Sequence, residues 1–170
     1  VVGYFSKEKM SWDNNNLACI LIFPPWQRKG LGAILIGVSY EISKREKILG
    51  GPEKPISSLG KQSYIRYWSA EVARHVLNAK DTKGKASVTL DQISRDIWIC
   101  PEDLLCAVRD MGVAIPATKG KGETPKVRVD KEKIRAWAKV NNADLEPVID
   151  PNGFEEGYGY RESPADDVAD

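Results

Sequence analysis

Two stretches of this chain carry residue types and spacings that could do chemistry. The first is Gln27-Arg28-Lys29-Gly30-Leu31-Gly32, a short basic loop with two glycines. It stands between an apolar, strand-like run, Leu17-Ala18-Cys19-Ile20-Leu21-Ile22-Phe23, and a helical pattern. A helix N-terminus leaves backbone N–H groups unpaired and carries partial positive charge, so such a junction suits a pyrophosphate. Arg28 and Lys29 add charge, and the side-chain-free Gly30 and Gly32 let phosphates approach the backbone. A Walker A loop is excluded, because no Gly-x-x-x-x-Gly-Lys-Ser/Thr is present. The dinucleotide fingerprint fails too, since Leu35 stands where a third glycine is required. Taken alone, the hexapeptide is read first as an ordinary strand-to-helix turn with solvated bases, ahead of a phosphate cradle.

The second stretch, Gly51-Pro52-Glu53-Lys54-Pro55, places one carboxylate in a stiff loop bracketed by prolines, and Ser57 follows. That is an odd setting for a purely structural acid, although a lone loop Glu is ordinarily a solvated one. Cys19 lies in the apolar run, where a cysteine by itself reads as a small core residue. Cys100 and Cys106 match no catalytic pattern, and His75 reads as a helix-surface or core residue.

The elements that must position these residues follow from periodicity and turn chemistry. Residues 1–5 and 17–23 are β-rich runs separated by a polar connection, with Asp13-Asn14-Asn15-Asn16 as its turn, and they read as neighbouring antiparallel strands. Pro24-Pro25 stops the second. From Gly30, Leu31, Ile34, Leu35, Val38 and Ile42 fall on one face of a helix reaching about Lys47. Lys44, Arg45 and Lys47 suit the negative end of its dipole, and Gly50-Gly51-Pro52 ends it. A second helix should start at Ser57 or Ser58 and run towards Asn78, with Ile65, Trp68, Val72 and Val76 as its buried stripe. Beyond a polar connection at 80–85, two short helices open at Thr89 and Pro101, followed by β-like runs at 113–115 and 127–129. That order resembles a helix-turn-helix with a wing. A last helix at 130–140 precedes an acidic tail expected to be mostly disordered.

At 170 residues the chain can bury a sizeable core. Its 25 basic residues nearly cancel its 24 acidic ones, but from Asn142 onward nine acids face the single base Arg161. A basic body with an acidic tail suits nuclear work. Three widely spaced cysteines argue against a disulfide framework and fit a reducing compartment. No metal-ligand cluster, membrane-spanning run or signal-peptide leader is visible, so a soluble, intracellular protein with no membrane partner is expected. The chain opens without Met inside a strand-like run, which reads as the later part of a longer protein.

Four motifs together carry a family resemblance. Val2-Gly3-Tyr4-Phe5-Ser6-Lys7-Glu8-Lys9, then Asn16-Leu17-Ala18-Cys19-Ile20-Leu21, then Gln27-Arg28-Lys29-Gly30-Leu31-Gly32, then Pro52-Glu53-Lys54-Pro55-Ile56-Ser57-Ser58-Leu59-Gly60 resemble, in order and spacing, the catalytic domain of the MYST histone acetyltransferases. The match is strong over residues 1–77 and weaker to about Pro151, in a style similar to fungal members of the something-about-silencing branch. The resemblance implies an α+β fold with a GNAT-like acetyl-CoA-binding core whose first part lies upstream. Three regions follow: a catalytic core at 1–80, a winged-helix-like helix-turn-helix region at 81–145, and the acidic tail at 146–170. The strand at 17–23 and the next would splay apart to admit the cofactor. Ile20, Leu21 and Ile22 would meet its acetyl and pantetheine groups through their backbone. Gln27, Arg28, Lys29, Gly30, Leu31 and Gly32 would wrap the pyrophosphate, and Ser57 would hydrogen-bond the cofactor.

In the same resemblance Glu53 is the general base and Cys19 lies beside the acetyl thioester. A lysine amine, with an unperturbed pKa of about 10.4, is protonated at neutral pH and cannot attack a thioester. A glutamate whose pKa is raised by partial burial can take that proton directly or through one water. Direct attack with Cys19 packed beside the acetyl group is expected, rather than ping-pong transfer through an acetylated Cys19.

Gly51 stands where the family commonly has serine, Ser58 where it has aspartate, Leu31 where it has an aromatic, and Ala33 where it has a basic or polar residue. The family's zinc finger, first strands and autoacetylated lysine would lie upstream, so no metal is expected in this chain. The 170 residues expressed alone are expected to be poorly stable or inactive. The resemblance implies a histone-tail substrate, a multi-subunit nuclear complex and action in transcription or silencing. The alternatives are a chromatin- or DNA-binding winged-helix module with a weak catalytic half, or acetylation of small amines. Glu102, Asp103, Arg109 and Asp110 do not make the basic face that a recognition helix needs.

Overall fold

The computed structural model describes residues 1–8, 11–78, 87–115 and 127–158. Strand β1 (Gly3–Ser6) pairs antiparallel with β3 (Cys19–Ile22), Tyr4 opposite Leu21 and Ser6 opposite Cys19. Strand β2 (Asn15–Leu17) pairs instead with β4 (Gly51–Pro52), in parallel, Leu17 opposite Pro52. The run read from the sequence as one strand at 17–23 is therefore two, with different partners. Ser6 makes the break: its carbonyl accepts from Ala18 N at 2.9 Å and its hydroxyl from Cys19 N at 3.2 Å. A side chain that captures a backbone N–H interrupts a ladder and bends the strand.

A 3-10 turn (Pro24–Trp26) leads to α1 (Leu31–Arg45), whose flanking residue Gly30 is left-handed at φ 79°. The buried face of α1 is Ile36, Gly37, Ser39, Tyr40 and Ser43, not the predicted stripe of Leu31, Ile34, Leu35, Val38 and Ile42. Ile34 is exposed. Aliphatic periodicity misjudged this helix because its inner face is built from one aromatic and several small residues. Tyr40 stacks on Tyr67 with centroids 5.4 Å apart and accepts a 2.8 Å hydrogen bond from Trp68 Nε1.

Helix α2 (Ser58–Asn78) is the axis of the molecule, packed against each of the other described helices. Trp68, Val72 and Val76 are buried as their spacing predicts, joined by Tyr64 and Tyr67. After it come β5 (Ser87–Thr89), α3 (Leu90–Ile97), α4 (Pro101–Asp110), β6 (Ala114–Ile115), β7 (Arg128–Asp130) and α5 (Lys131–Val140). The three strands form an antiparallel sheet in the order β5-β7-β6. Two helices and two strands follow in the sequence-predicted order, with β5 before them as a strand the sequence reading did not include; the polar connection at 80–85 and residues 116–126 between β6 and β7 lie outside the described residues. Asp130 caps α5, its Oδ1 accepting from Glu132 N at 2.9 Å and Lys133 N at 3.2 Å. Such a cap stabilises a helix by about 1 kcal/mol.

One apolar cluster runs from Ile36 and Tyr40 through α2 to Leu104, Val129 and Ile134, so the regions before and after the polar connection share a core. Residues 147–158 depart from the disordered tail that composition suggests. Arg45 donates to Pro151 O at 2.7 Å and lies 4.6 Å over the Phe154 ring, while buried Arg74 donates to Leu145 O at 3.1 Å. The segment packs on α1 at Gly37, where a Cβ would lie in ordinary contact with Ile149 Cγ2 at 3.4 Å. Two arginines that collect backbone carbonyls, with Val148 packed on the core, hold a segment whose charge pattern reads as solvated. Residues 159–170 lie outside the described region.

Candidate functional site

The site begins where the β2–β4 ladder ends. Glu53 N donates to Leu17 O at 2.9 Å, and that bond is the ladder's last rung. Beyond it β3 continues through Cys19, Ile20, Leu21 and Ile22 with β1 as its one strand partner among the described residues. Along its second edge no described strand pairs with β3, and apart from the Ile22 carbonyl, which accepts from Gln27 Nε2, that edge is a template on which a ligand's amide groups can dock. The same rung brings the Glu53 backbone beside Leu17, so two residues 34 positions apart in sequence, Cys19 and Glu53, stand near where the ladder ends. Both residues are exposed. The expectation of a partly buried Glu53, and the reading of Cys19 as a core residue, are both corrected: the ladder ends before it can cover them.

At the far end of β3 lies the glycine loop. Gln27 Nε2 reaches back to Ile22 O at 2.9 Å and ties the loop to the strand end. Arg28 adopts φ 60° and Gly30 φ 79°, a tight left-handed path that only glycine takes without strain at the second position. The α1 N-terminus has no side-chain cap and no acid in its first turn. Its free N–H groups are thus left for water or an anion. Lys29 sits 4.8 Å over the Trp26 ring, which holds a cation at the loop's rim. A Cβ at Gly32 would meet no protein atom within 4 Å. Glycine there is not required by the described packing, and the space beside it is open. Leu31 is half-buried at the first helical position. The residues present therefore fit a pyrophosphate-bearing ligand.

Ser57 Oγ accepts from Gly60 N at 3.1 Å, capping the start of α2. Its hydroxyl proton remains available, so a cap and a donor to a ligand are compatible in one side chain.

Behind the Glu53 loop stands a group that sequence reasoning treated only as an unsuitable DNA contact. Asp103, in the first turn of α4, is buried, and its Oδ1 takes Lys54 Nζ at 2.8 Å. Burial pushes its carboxyl above the usual carboxylate range, and the Lys54 ammonium pulls it part of the way back. The hydrogen bond to Asp103 in turn raises Lys54. Burial, then Asp103, push the Cys100 thiol up to about 11. No sequence signal short of the fold links residues 54 and 103. His75, on α2, lies 3.1 Å from Asp96 Oδ2 on α3 and serves as a helix-to-helix contact away from this site. Among the described residues no group of three or more His, Cys, Asp or Glu could hold a metal ion, and no helix is long and apolar enough to cross a membrane.

The MOZ/SAS family profile matches residues 1–154, and the chain belongs to this family, the MYST family of acetyltransferases. It is 46% identical over 140 residues to histone acetyltransferase SAS2 of Saccharomyces cerevisiae, covering 82% of this chain and 38% of that protein. It is 44% identical over 112 residues to histone acetyltransferase MOF of Drosophila melanogaster, covering 65% of this chain and 13% of that protein. With human histone acetyltransferase KAT6A it shares 42% over 104 residues, 61% of this chain and 5% of that protein. The chain thus spans well under half the length of these curated relatives.

Proposed function

We propose that this chain is the later part of a histone lysine acetyltransferase site, in which Glu53 is the general base. The observation that carries the reading is the last rung of the β2–β4 ladder, Glu53 N to Leu17 O at 2.9 Å. It ends the ladder at Glu53 and leaves β3 without a second described strand partner, which supports a carboxylate working at that edge. Acetyl-CoA, when bound, supplies a thioester-activated acetyl group. The β3 edge at Ile20, Leu21 and Ile22 meets its amide-bearing arm, and the Gln27 to Gly32 loop with the uncapped α1 N-terminus takes its pyrophosphate. Ser57 donates its hydroxyl to the same ligand. The fold of this core is GNAT-like, with its first strands contributed from upstream of β1.

Glu53 removes a proton from the ammonium of the incoming lysine, and the free amine attacks the acetyl carbon directly; as the C–N bond forms the C–S bond breaks, and the nitrogen's second proton goes to the departing sulfur, leaving acetyl-lysine and the CoA thiol. The carboxylate is exposed in the free chain. The two substrates on either side of it supply the desolvation that makes it an effective base. Cys19 packs beside the acetyl group without becoming acylated. The substrate is a core histone tail, and the setting is a nuclear, multi-subunit complex that acts on chromatin in transcription or silencing. The winged-helix reading finds no comparable support, because the exposed residues of α4 are Glu102, Cys106, Arg109 and Asp110.

The test is Glu53→Gln in the full-length protein, assayed on histone peptides with acetyl-CoA across pH. Turnover should fall on the order of 10²- to 10⁴-fold, with acetyl-CoA binding retained. Unchanged turnover at neutral pH would refute the assignment. A parallel Cys19→Ala variant should keep most of its activity, because direct attack does not need that sulfur.

A further inference from the structure

Asp103 touches the Glu53 loop on both sides of the base. Its Oδ1 takes Lys54 Nζ at 2.8 Å, immediately after Glu53. Its Oδ2 lies against Gly51, two residues before Glu53, so close that a Cβ on Gly51 would fall 2.5 Å from it. The turn before α4 extends the contact: Gly50 pairs with Ile99 in a parallel bridge, and Cys100 Sγ lies 3.7 Å from Leu49 O. Residues 49–54 are thus braced along one side by residues 99–103, and held on the other by the Leu17 carbonyl.

The energetics argue that this brace is more than packing. The Asp103 side chain is 4% exposed, and its Oδ2 has no hydrogen-bond partner among the described residues. A buried carboxylate with one oxygen unsatisfied costs stability that a well-packed apolar residue would not. The return comes as geometry. Lys54 stands at the bend that directly follows Glu53, so its ion pair with Asp103 anchors one end of the backbone that carries Glu53, while the Glu53 N to Leu17 O bond anchors the other. Lys54 carries the charge that makes the buried acid tolerable, and the acid fixes the lysine.

We propose that Asp103, acting through Lys54, is a positioning residue that holds the Glu53 loop in register with the β3 edge, so that the helix pair α3–α4 serves the acyl-transfer site. This rests on the reading of Glu53 as the general base. A base displaced by about 1 Å loses on the order of tenfold to a hundredfold in rate while the ligand site stays intact.

The experiment is a set of variants of the full-length protein, read by kcat on a histone peptide and by the Kd of acetyl-CoA from calorimetry. Lys54→Met, at a half-exposed side chain, should fold and lower kcat on the order of tenfold or more, with Kd changed less than about twofold. Asp103→Asn should do the same, and the double variant should be no worse than either single one. Lys54→Arg, which keeps the ion pair, should restore kcat to within about threefold. A folded Lys54→Met with full kcat, or losses that multiply in the double variant, would overturn the proposal. If Asp103→Asn fails to fold, the Lys54 pair decides. Glu53→Gln separates the two ideas. If it is inactive while Lys54→Met is normal, the brace alone is wrong; if it keeps full turnover, the base assignment and the brace fall together.

Discussion

Replacing Gly51 with alanine tests the packing behind the Glu53 loop directly. Gly51 has no left-handed φ, so its backbone accepts alanine without strain. In open space the change would stabilise the chain by about 0.4–1 kcal/mol, through the reduced freedom of the unfolded state. The structure predicts the opposite sign. The new Cβ would lie 2.5 Å from Asp103 Oδ2, and ordinary contact begins at 3.4 Å, so the carboxylate must retreat by about 0.9 Å. It has little room, being buried and held by Lys54 at 2.8 Å. Overpacking of this kind costs about 1–3 kcal/mol. Weakening the half-exposed ion pair adds less than about 1 kcal/mol. Urea titration should therefore show the midpoint of Gly51→Ala lowered by roughly 1 M with an unchanged slope. In an Asp103→Ala background the clash is gone, and the same substitution should be neutral or stabilising. The coupling in that double-mutant cycle should reach about 1–3 kcal/mol. Equal costs in both backgrounds would refute the argument.

The Gly32 position separates stability from binding. Gly32→Ala should stabilise α1 by about 0.5–1 kcal/mol, because helix propensity rises and the methyl meets no protein atom. Acetyl-CoA should bind more than about tenfold more weakly to the same variant in calorimetry, since the methyl takes the space of the phosphates. The Cys100 thiol, raised to about 11 from 9.0, sets a pH dependence. Between those values the unfolded chain gives up a proton that the folded chain keeps, so the contribution to stability is present below pH 9.0 and is lost as pH rises to about 11. Cys100→Ala should flatten that part of the stability profile. At pH 8 iodoacetamide should modify exposed Cys19 and Cys106 well before Cys100.

Local order was legible wherever a short-range rule governs the chain. Proline and glycine marked the ends of β3, α1 and the start of α4, and the 3.6-residue period found Trp68, Val72 and Val76 on α2. The Gln27 to Gly32 loop was legible as a helix start, though its chemistry came from the resemblance. Side-chain capture of backbone was not legible. Ser6 breaks one apolar run into two strands, and Arg45 with Arg74 holds residues that look solvated. The inner face of α1 escaped as well, because Gly37, Ser39 and Ser43 carry no hydrophobic signal and are buried by what packs on them.

What the sequence determined by itself is which residues could carry the proposed chemistry. Glu53, Cys19, the two glycines of the loop and Ser57 stand in motif order, and their types limit the chemistry to a carboxylate, a thiol and an anion cradle. What the tertiary structure alone decided is how they meet. The β2–β4 ladder stops at the Leu17–Glu53 rung, which opens the β3 edge and leaves both the acid and the thiol exposed. Asp103, read from the sequence as an ordinary acid on a short helix, stands behind that acid and grips its neighbours on both sides. The reason is physical: residue type and spacing act over a few positions, whereas the contact between residues 54 and 103 exists only once α2 has brought the two halves of the chain onto one core.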